Sequence, residues 1–320
     1  SPTSGINILD CRFEPDGENW ISSSADSVHG RGREGPWIEN TLIRGICEDV
    51  MNTYGQSMVI VADDDAHDAI LSLRMFDGSI ESSGPPVLRM PSPESAQPGD
   101  QLVFFNPKTG RVIGYAKVKA LTAGRVTLSH TVPGIDPWET GDGRSATMVY
   151  NTRVAARFFV RDSRVMDSMR FAIYIKARGG VIFNSQFDGL SAPSILATNE
   201  PEWPEGPPAA HLWVQGCTFS QNNYGYMPRQ RAFMVVDPAD ISIYTRRLRD
   251  PAEPAGYQAH VSRGHYANNH MKLVGNVFHD WRGMGIAVRN ARNVLIRDNL
   301  FLPPVEDLVM RQTLAKDPAL

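Results

Sequence analysis

The chain has 320 residues, 42% hydrophobic and 21% charged, with a formal net charge of -3. That near-neutral balance excludes nucleic acid as the main partner, which needs a basic surface, and no run of ~18 apolar residues offers a membrane span. Three scattered cysteines, Cys11, Cys47 and Cys217, make neither a disulfide framework nor Cys-x-x-Cys metal spacing.

Residues 1–20 lack the basic start and apolar stretch of a signal peptide and open into a strand over 6–13. That strand holds the first copy of a short pattern: apolar, any, Asp/Asn/Gly, small or amide, any, Phe/Ile/Val. It reads Ile8-Leu-Asp-Cys-Arg-Phe13 and returns at 38–43, 160–165, 182–187, 214–219, 273–278 and 296–301. Successive copies start 30, 122, 22, 32, 59 and 23 residues apart. A base period of 22–23 with longer intervals describes one coil of fixed size, with loops inserted into some coils. Such a coil cannot bury its own apolar face, so coils must stack and share a continuous core. The segments are short, β-branched and aromatic, which excludes a helical repeat, and no dense Leu consensus supports a leucine-rich one. The expected fold is all-β, a right-handed parallel β-helix. The fourth pattern position is always Cys, Thr, Ser or Asn. It is expected to form an internal ladder at a turn of the coil, with small polar groups satisfying backbone atoms.

The 122-residue interval begins with a strand region, 58–61 and 70–75, and then changes texture. Segments 98–105, 111–119 and 124–129 alternate as strands, with turn residues Asn106-Pro-Lys-Thr-Gly110 between two of them. The expected organisation is coils over 1–84, a small inserted antiparallel β-barrel over 85–150, and coils again over 151–320. A second insertion, about 220–270, is rich in Arg, Pro and Tyr and reads as long loops over one face, where solenoids place binding sites.

Acidic residues fall one coil apart near the start. Asp26 lies in Ser-Ala-Asp-Ser-Val-His-Gly (24–30), and Glu48 and Asp49 follow it by 22 and 23 residues, the base period. Adjacent coils of a parallel β-helix lie ~4.7–4.9 Å apart. Outward carboxylates at equivalent positions can then flank a bound bond at ~5–10 Å, the range of glycosidase pairs: ~5–5.5 Å for retention, ~6.5–9.5 Å for inversion. Crowding also separates their pKa values, so that one stays protonated while another stays ionised. Spacing alone equally describes a solvated acidic rim. In the register that pairs Asp26 with Asp49, Val28 and Met51 enter the core. His29 then sits above Asn52 on the outer face, placed to hydrogen-bond sugar hydroxyls.

Other segments carry weaker signals. Asp63-Asp64-Asp65-Ala-His67-Asp68 has divalent-cation composition, but an acidic loop is the commoner case, and no metal site is assigned. Asn199-Glu200-Pro-Glu202-Trp203-Pro-Glu205 sets carboxylates beside a Trp, a pairing that suits sugar hydroxyls and sugar faces, or simply a Pro-rich structural loop. Arg229, Arg231, Arg246, Arg247 and Arg249 fit an acidic polysaccharide or a solvated loop, and His265 and His270 read as exposed loop residues.

The runs Ala25-Asp-Ser-Val-His29, Gly35-Pro-Trp-Ile-Glu-Asn40 and Glu48-Asp-Val-Met-Asn52-Thr-Tyr-Gly55 resemble glycoside hydrolase family 110, as do Lys176-Ala-Arg-Gly-Gly-Val-Ile182 and segment 199–206. Those are the α-1,3-galactosidases, some of which remove the terminal galactose of the blood group B antigen. The family pattern is an Asp-Gly-Phe-His-like strand followed about one coil later by Asp-Asp-Ala-Ile-Asn, on a β-helix with an inserted barrel. The resemblance implies metal-independent, cofactor-free, inverting hydrolysis of a terminal α-galactoside in an oligosaccharide or polysaccharide. The substrate class in turn implies a secreted or periplasmic protein. Asp26 matches the lone Asp and is the candidate general acid. Glu48 and Asp49 match the paired Asp residues that activate water, with the two roles exchangeable between coils. His29, Asn52, Glu200, Glu202 and Trp203 are the candidate substrate-binding residues.

There are two departures from the family. Glu48 replaces an Asp; a methylene moves the carboxylate by ~1.5 Å, where ~1 Å of misplacement can cost ~100-fold in rate. Only 25 residues precede Asp26, against a long N-terminal half in the family, which implies further coils ahead of this sequence. Two other functions suit the same fold. A polysaccharide lyase or epimerase needs a Lys or Arg base, often with calcium, and a non-catalytic saccharide-binding solenoid needs no carboxylates at 26 and 49.

Overall fold

The computed structural model of the chain describes residues 5–62, 69–77, 87–92, 95–139, 141, 143–225, 238–250, 252 and 265–302. The acidic run 63–68 and Arg229 and Arg231 lie outside them. Among the described residues there is no α-helix, and no helix is long and apolar enough to cross a membrane.

The six-residue pattern explains how the chain winds. Its first residues, Ile8, Ile38, Val160, Ile182, Val214, Leu273 and Ile296, are successive parallel partners on one face. Its third residues, Asp10, Asn40, Asp162, Asn184, Gly216, Gly275 and Asp298, all have φ between 45° and 65°. Asn, Asp and Gly tolerate that left-handed region best, and one such residue turns the strand through a corner. Its sixth residues then stack on a second face, where the rings of Phe187, Phe219, Phe278 and Phe301 follow one another at 5.1, 4.9 and 4.8 Å. The fourth residues form the expected ladder. Thr41 N–H donates to Ser163 Oγ (3.2 Å), Ser163 N–H to Ser185 Oγ (3.3 Å), and Cys217 N–H to Asn276 Oδ1 (3.0 Å). Amides that the corner leaves unpaired are thus satisfied by the next coil's side chain.

Three parallel faces result. The first runs from Asn7–Leu9 to Ala291–Arg297 and the second from Arg12–Phe13 to Leu300–Phe301. The third begins in Val28–Glu39 and continues through Met51–Tyr54, Ile173–Ile175, Ile195–Ala197 and Ala239–Ile243 to Met284–Val288. Their inward residues, such as Met51, Ile173, Val160, Ile182 and Phe219, share one buried core.

The second coil leaves the third face at Tyr54 and rejoins the first at Ala155. Between these points a six-stranded antiparallel barrel runs in the order Arg125–Leu128, Arg111–Thr122, Gln101–Asn106, Met148–Asn151, Ser57–Val61, Ile70–Asp77, and pairing of the last strand with the first closes it. The barrel therefore begins at Ser57, not near 85. The strand region before 85 belongs to it because Met58, Ile60 and Leu73 pack with Leu102, Phe104 and Val149 in the barrel's own core. The interval 220–270, expected to be loop throughout, contains a strand of the third face, Ala239–Ile243.

Candidate active site

The cleft lies across the outer side of the third face, where four coils contribute to it. Val28 pairs with Met51 and His29 with Asn52, so the apolar partners turn into the core and the polar ones outward. One coil further on, Asn52 pairs with Tyr174. At the start of these strands stand Asp26, then Glu48 and Asp49, then Arg170. At their far end the loop 198–209 crosses over Lys176. The cavity so formed has a volume of about 520 Å³. The candidate catalytic residues Asp26, Glu48 and Asp49 and the candidate substrate-binding residues His29, Asn52, Glu200, Glu202 and Trp203 line it.

The carboxylates interlock. Asp49 N–H donates to Asp26 Oδ1 (3.2 Å), and Asp26 Oδ2 lies 3.7 Å from His29 Nε2. Arg170 bonds Glu48 through one guanidinium nitrogen, and its Nε stands 3.3 Å from Asp49 Oδ1, an ion pair without hydrogen-bond geometry. Asp49 is 2% exposed. Burial pushes its carboxyl up to about 7; Arg170 opposes the rise, the Asp26 carboxylate adds to it, and Lys176 and Glu48 follow with opposite signs. Asn52 Nδ2 is 3.3 Å from His29 Nε2, while its buried Oδ1 has no hydrogen-bond partner among the described residues. The imidazole also packs on Tyr54, with ring centroids 4.2 Å apart.

Beyond Tyr174 the cleft is held by buried ions. Lys176 Nζ reaches Glu205 Oε2 at 2.7 Å and Glu200 Oε2 at 3.4 Å, and Tyr174 OH donates to Glu200 Oε2 (3.1 Å). Burial works against the Lys176 charge, but Glu200 and then Glu205 outweigh it and hold the ammonium above its ordinary pKa. Arg246 NH2 lies 3.0 Å from Glu202 Oε2, and its backbone and Asn199 exchange amide bonds of 2.9 and 3.0 Å. Arg246 is 1% exposed, so it is a buried strut and not part of a solvated arginine loop. His270 lies on a strand of the first face, stacked on His211, away from the cleft. The loop itself sits close: a Cβ on Gly206 would fall 2.5 Å from Lys176 O and 3.0 Å from Gly55 N.

Ala25, Arg170, Tyr174, Lys176 and Glu205 complete the lining; the last four were given no role from sequence, although Lys176 and Glu205 lie in segments that it named. A signal for three of them exists. Pattern copies at Ile38 and Val160 are 122 residues apart, and adding 122 to Glu48, Asn52 and Tyr54 gives Arg170, Tyr174 and Lys176. Among the described residues, no group of three His, Cys, Asp or Glu is arranged to hold a metal ion.

No family model and no curated protein matches the chain. Among solved structures it is similar to the tailspike protein gp49 from Pseudomonas phage LKA1 (11% identity, 89% of this chain and 55% of that one, TM-score 0.26). It is also similar to the gp54 tailspike of Acinetobacter baumannii bacteriophage AP22, solved in complex with A. baumannii capsular saccharide (9% identity, 93% and 53%, TM-score 0.22). A third is the Pseudomonas phage phi297 tailspike gp61 (12% identity, 88% and 52%, TM-score 0.24). The chain spans about half the length of each. What the cleft can do is set by its own side chains. A buried carboxyl that keeps its proton near neutrality, beside a carboxylate in reach of water, is the pair that acid–base cleavage of a glycosidic bond requires.

Proposed function

We propose that this protein is an exo-acting glycoside hydrolase of the family 110 kind, releasing a terminal α-linked galactose with inversion. The convergence of Asp26, Glu48 and Asp49 from consecutive coils on one cleft, with Asp49 raised to about 7, carries this reading. The family resemblance supplies the sugar and the exo mode.

Burial favours exchanging the two roles. Asp49 is the carboxyl that keeps a proton, so it donates to the leaving oxygen. Asp26 is more open to solvent and polarises the attacking water. Glu48 is turned onto Arg170, so the methylene it adds relative to the family Asp is taken up in an ion pair. The exposed His29 ring faces sugar hydroxyls, the buried Asn52 side chain holds that ring in place, and the Trp203 indole offers a stacking face. Glu200 is committed to Tyr174 and Lys176, which makes it a positioning residue and not a hydroxyl ligand.

The test is galactose release from α-1,3-galactosyl oligosaccharides and from p-nitrophenyl α-galactoside, by wild type, Asp26→Asn and Asp49→Asn, with and without EDTA. Release that ignores EDTA and falls by about 10²–10⁴ in both variants on the oligosaccharide is expected. Nitrophenolate leaves without a proton, so Asp49→Asn should retain more activity on that substrate than Asp26→Asn. A folded wild type that releases galactose from neither substrate ends the hydrolase reading.

A further inference from the structure

A second cavity of about 550 Å³ adjoins the first, and Trp203 and Glu205 line both. Its volume falls within the ~300–1,000 Å³ typical of small-ligand sites. Its walls come from three parts of the fold: Tyr54 and Gln56 at the coil corner, Met90, Ser92 and Ser95 in the barrel insertion, and Trp203 on the crossing loop. Two of these side chains connect it to the cleft. Tyr54 lines the second cavity and packs its ring on His29 of the first, with centroids 4.2 Å apart. The Trp203 side chain donates to the Glu205 carboxylate, which Lys176 also holds at 2.7 Å, so the indole is tied to the buried ion cluster. The Gly55 N–H to Glu205 O bond (2.6 Å) joins corner to loop.

A polar relay lines the second cavity where corner and barrel insertion meet. The buried Ser95 donates its Oγ–H to Gln56 Oε1 (3.2 Å), and Ser92 Oγ lies 3.2 Å from Ser95 Oγ. Ser95 has one hydroxyl proton and Gln56 takes it, so the other bond runs from Ser92 to Ser95. The relay then ends in a donor, Gln56 Nε2, and an acceptor, Ser92 Oγ, neither bonded further among the described residues. Turning the Gln56 amide over reverses the relay and exchanges the ends, which still leaves one of each. A sugar hydroxyl both donates and accepts, and so satisfies either end; an anion only accepts and an ammonium only donates. Arg31 and Arg89 also line the cavity, each engaged in contacts of its own.

We infer that the second cavity binds a neutral sugar residue of the same saccharide chain, on the leaving-group side of the cleaved bond, so that the barrel insertion selects longer oligosaccharides. The label "leaving-group side" rests on the hydrolase reading of the neighbouring cleft. The saccharide passes from the acid-rich cleft over the Trp203 indole, and its next hydroxyls meet Gln56 and Ser92.

The experiment is calorimetric titration of the Asp49→Asn protein, in which ligand stays intact, with neutral α-galactosyl di-, tri- and tetrasaccharides extended at the reducing side. The longer ligands should bind about tenfold more tightly than the disaccharide, the worth of one or two ordinary hydrogen bonds. That gain should persist as NaCl is raised to about 0.5 M, because no charge pairing supplies it. It should be lost when Gln56→Ala and Ser92→Ala are added, with the disaccharide as internal reference. The length and salt series need no further substitution, so the proposal stays testable if the added variants fold poorly. Equal affinity along the series, a gain that salt abolishes, or a gain that survives loss of both side chains overturns it. Wild-type galactose release is followed in parallel. A length gain without release supports the site while overturning the hydrolase reading, and release without a length gain overturns the site alone.

Discussion

Replacing Asp49 by Asn should make the protein more stable, and increasingly so as pH rises. The Asp49 carboxyl lies at about 7 in the fold against an ordinary 3.8, with burial the main cause. The difference is about three pH units, each equivalent to about 1.4 kcal/mol. Ionised Asp49 therefore costs the fold on the order of 4 kcal/mol. A carboxyl raised by folding holds its proton in the native state over a pH range where the unfolded chain has released it. The contribution to stability is complete below about pH 4, is lost as pH climbs to about 7, and is flat above. Asn has nearly the same shape and no proton to lose. The difference between variant and wild type should grow by about 4 kcal/mol between about pH 4 and pH 8, on the order of 10 °C in melting temperature. Loss of the Arg170 contact adds a constant offset, so the slope is the signal. Thermal melts of both proteins at about one-unit pH steps, at fixed ionic strength, measure it. Parallel curves for the two proteins would refute the account of Asp49 as a desolvated acid.

With Asp49 as proton donor, kcat/KM on the oligosaccharide should fall about tenfold per pH unit above about 7; a profile flat to about pH 9 assigns the proton elsewhere. Lys176→Met leaves Glu205 without its cation and Glu200 with only Arg246 at 3.8 Å, and should cost about 3–5 kcal/mol in urea unfolding, whereas a near-zero change would mean that water reaches both carboxylates. Asn276→Ala removes the acceptor of the Cys217 N–H and the donor to Val214 O (3.2 Å), and should cost about 1–3 kcal/mol by the same assay.

The coil was legible because its pattern encodes backbone as well as core. Asp10, Asn40 and Asp162 mark corners that need positive φ, and Thr41, Ser163 and Asn276 mark the amides those corners orphan. The barrel's start was not legible, because Ser57–Val61 is a short apolar, β-branched run that would serve equally as a coil strand, and only its antiparallel partners distinguish it. Asp26, Asp49, His29 and Asn52 could be grouped because their separations equal the period. Arg170, Tyr174 and Lys176 are related to them by 122 residues, an offset that shows the stacking only once the barrel is taken as an insertion. Arg246 offered no such signal. It meets Glu202 through two insertions of unrelated length, so no periodicity connects them.

Three insertions leave by the same corner, from the third face to the first: the barrel after Tyr54, the loop after Ala197 and the segment after Ile243, while the lengthened stretch between Ser220 and Ala239 joins the second face to the third. The crossing from Ile175 to Arg178, between the barrel and the loop, is tight. Lys176 sits in that crossing, roofed by neighbours that both carry insertions, and this is why it is buried. An ammonium buried there is tolerable only if carboxylates come with the roof, and Glu200 and Glu205 arrive on the loop that covers it. The ion cluster therefore fixes one particular loop over one particular coil, and with it the position of Trp203 between the two cavities. The stacked Ile, Phe and Asn ladders give every coil the same floor. The residues that interrupt the repeat at this corner make one stretch of that floor into a cleft.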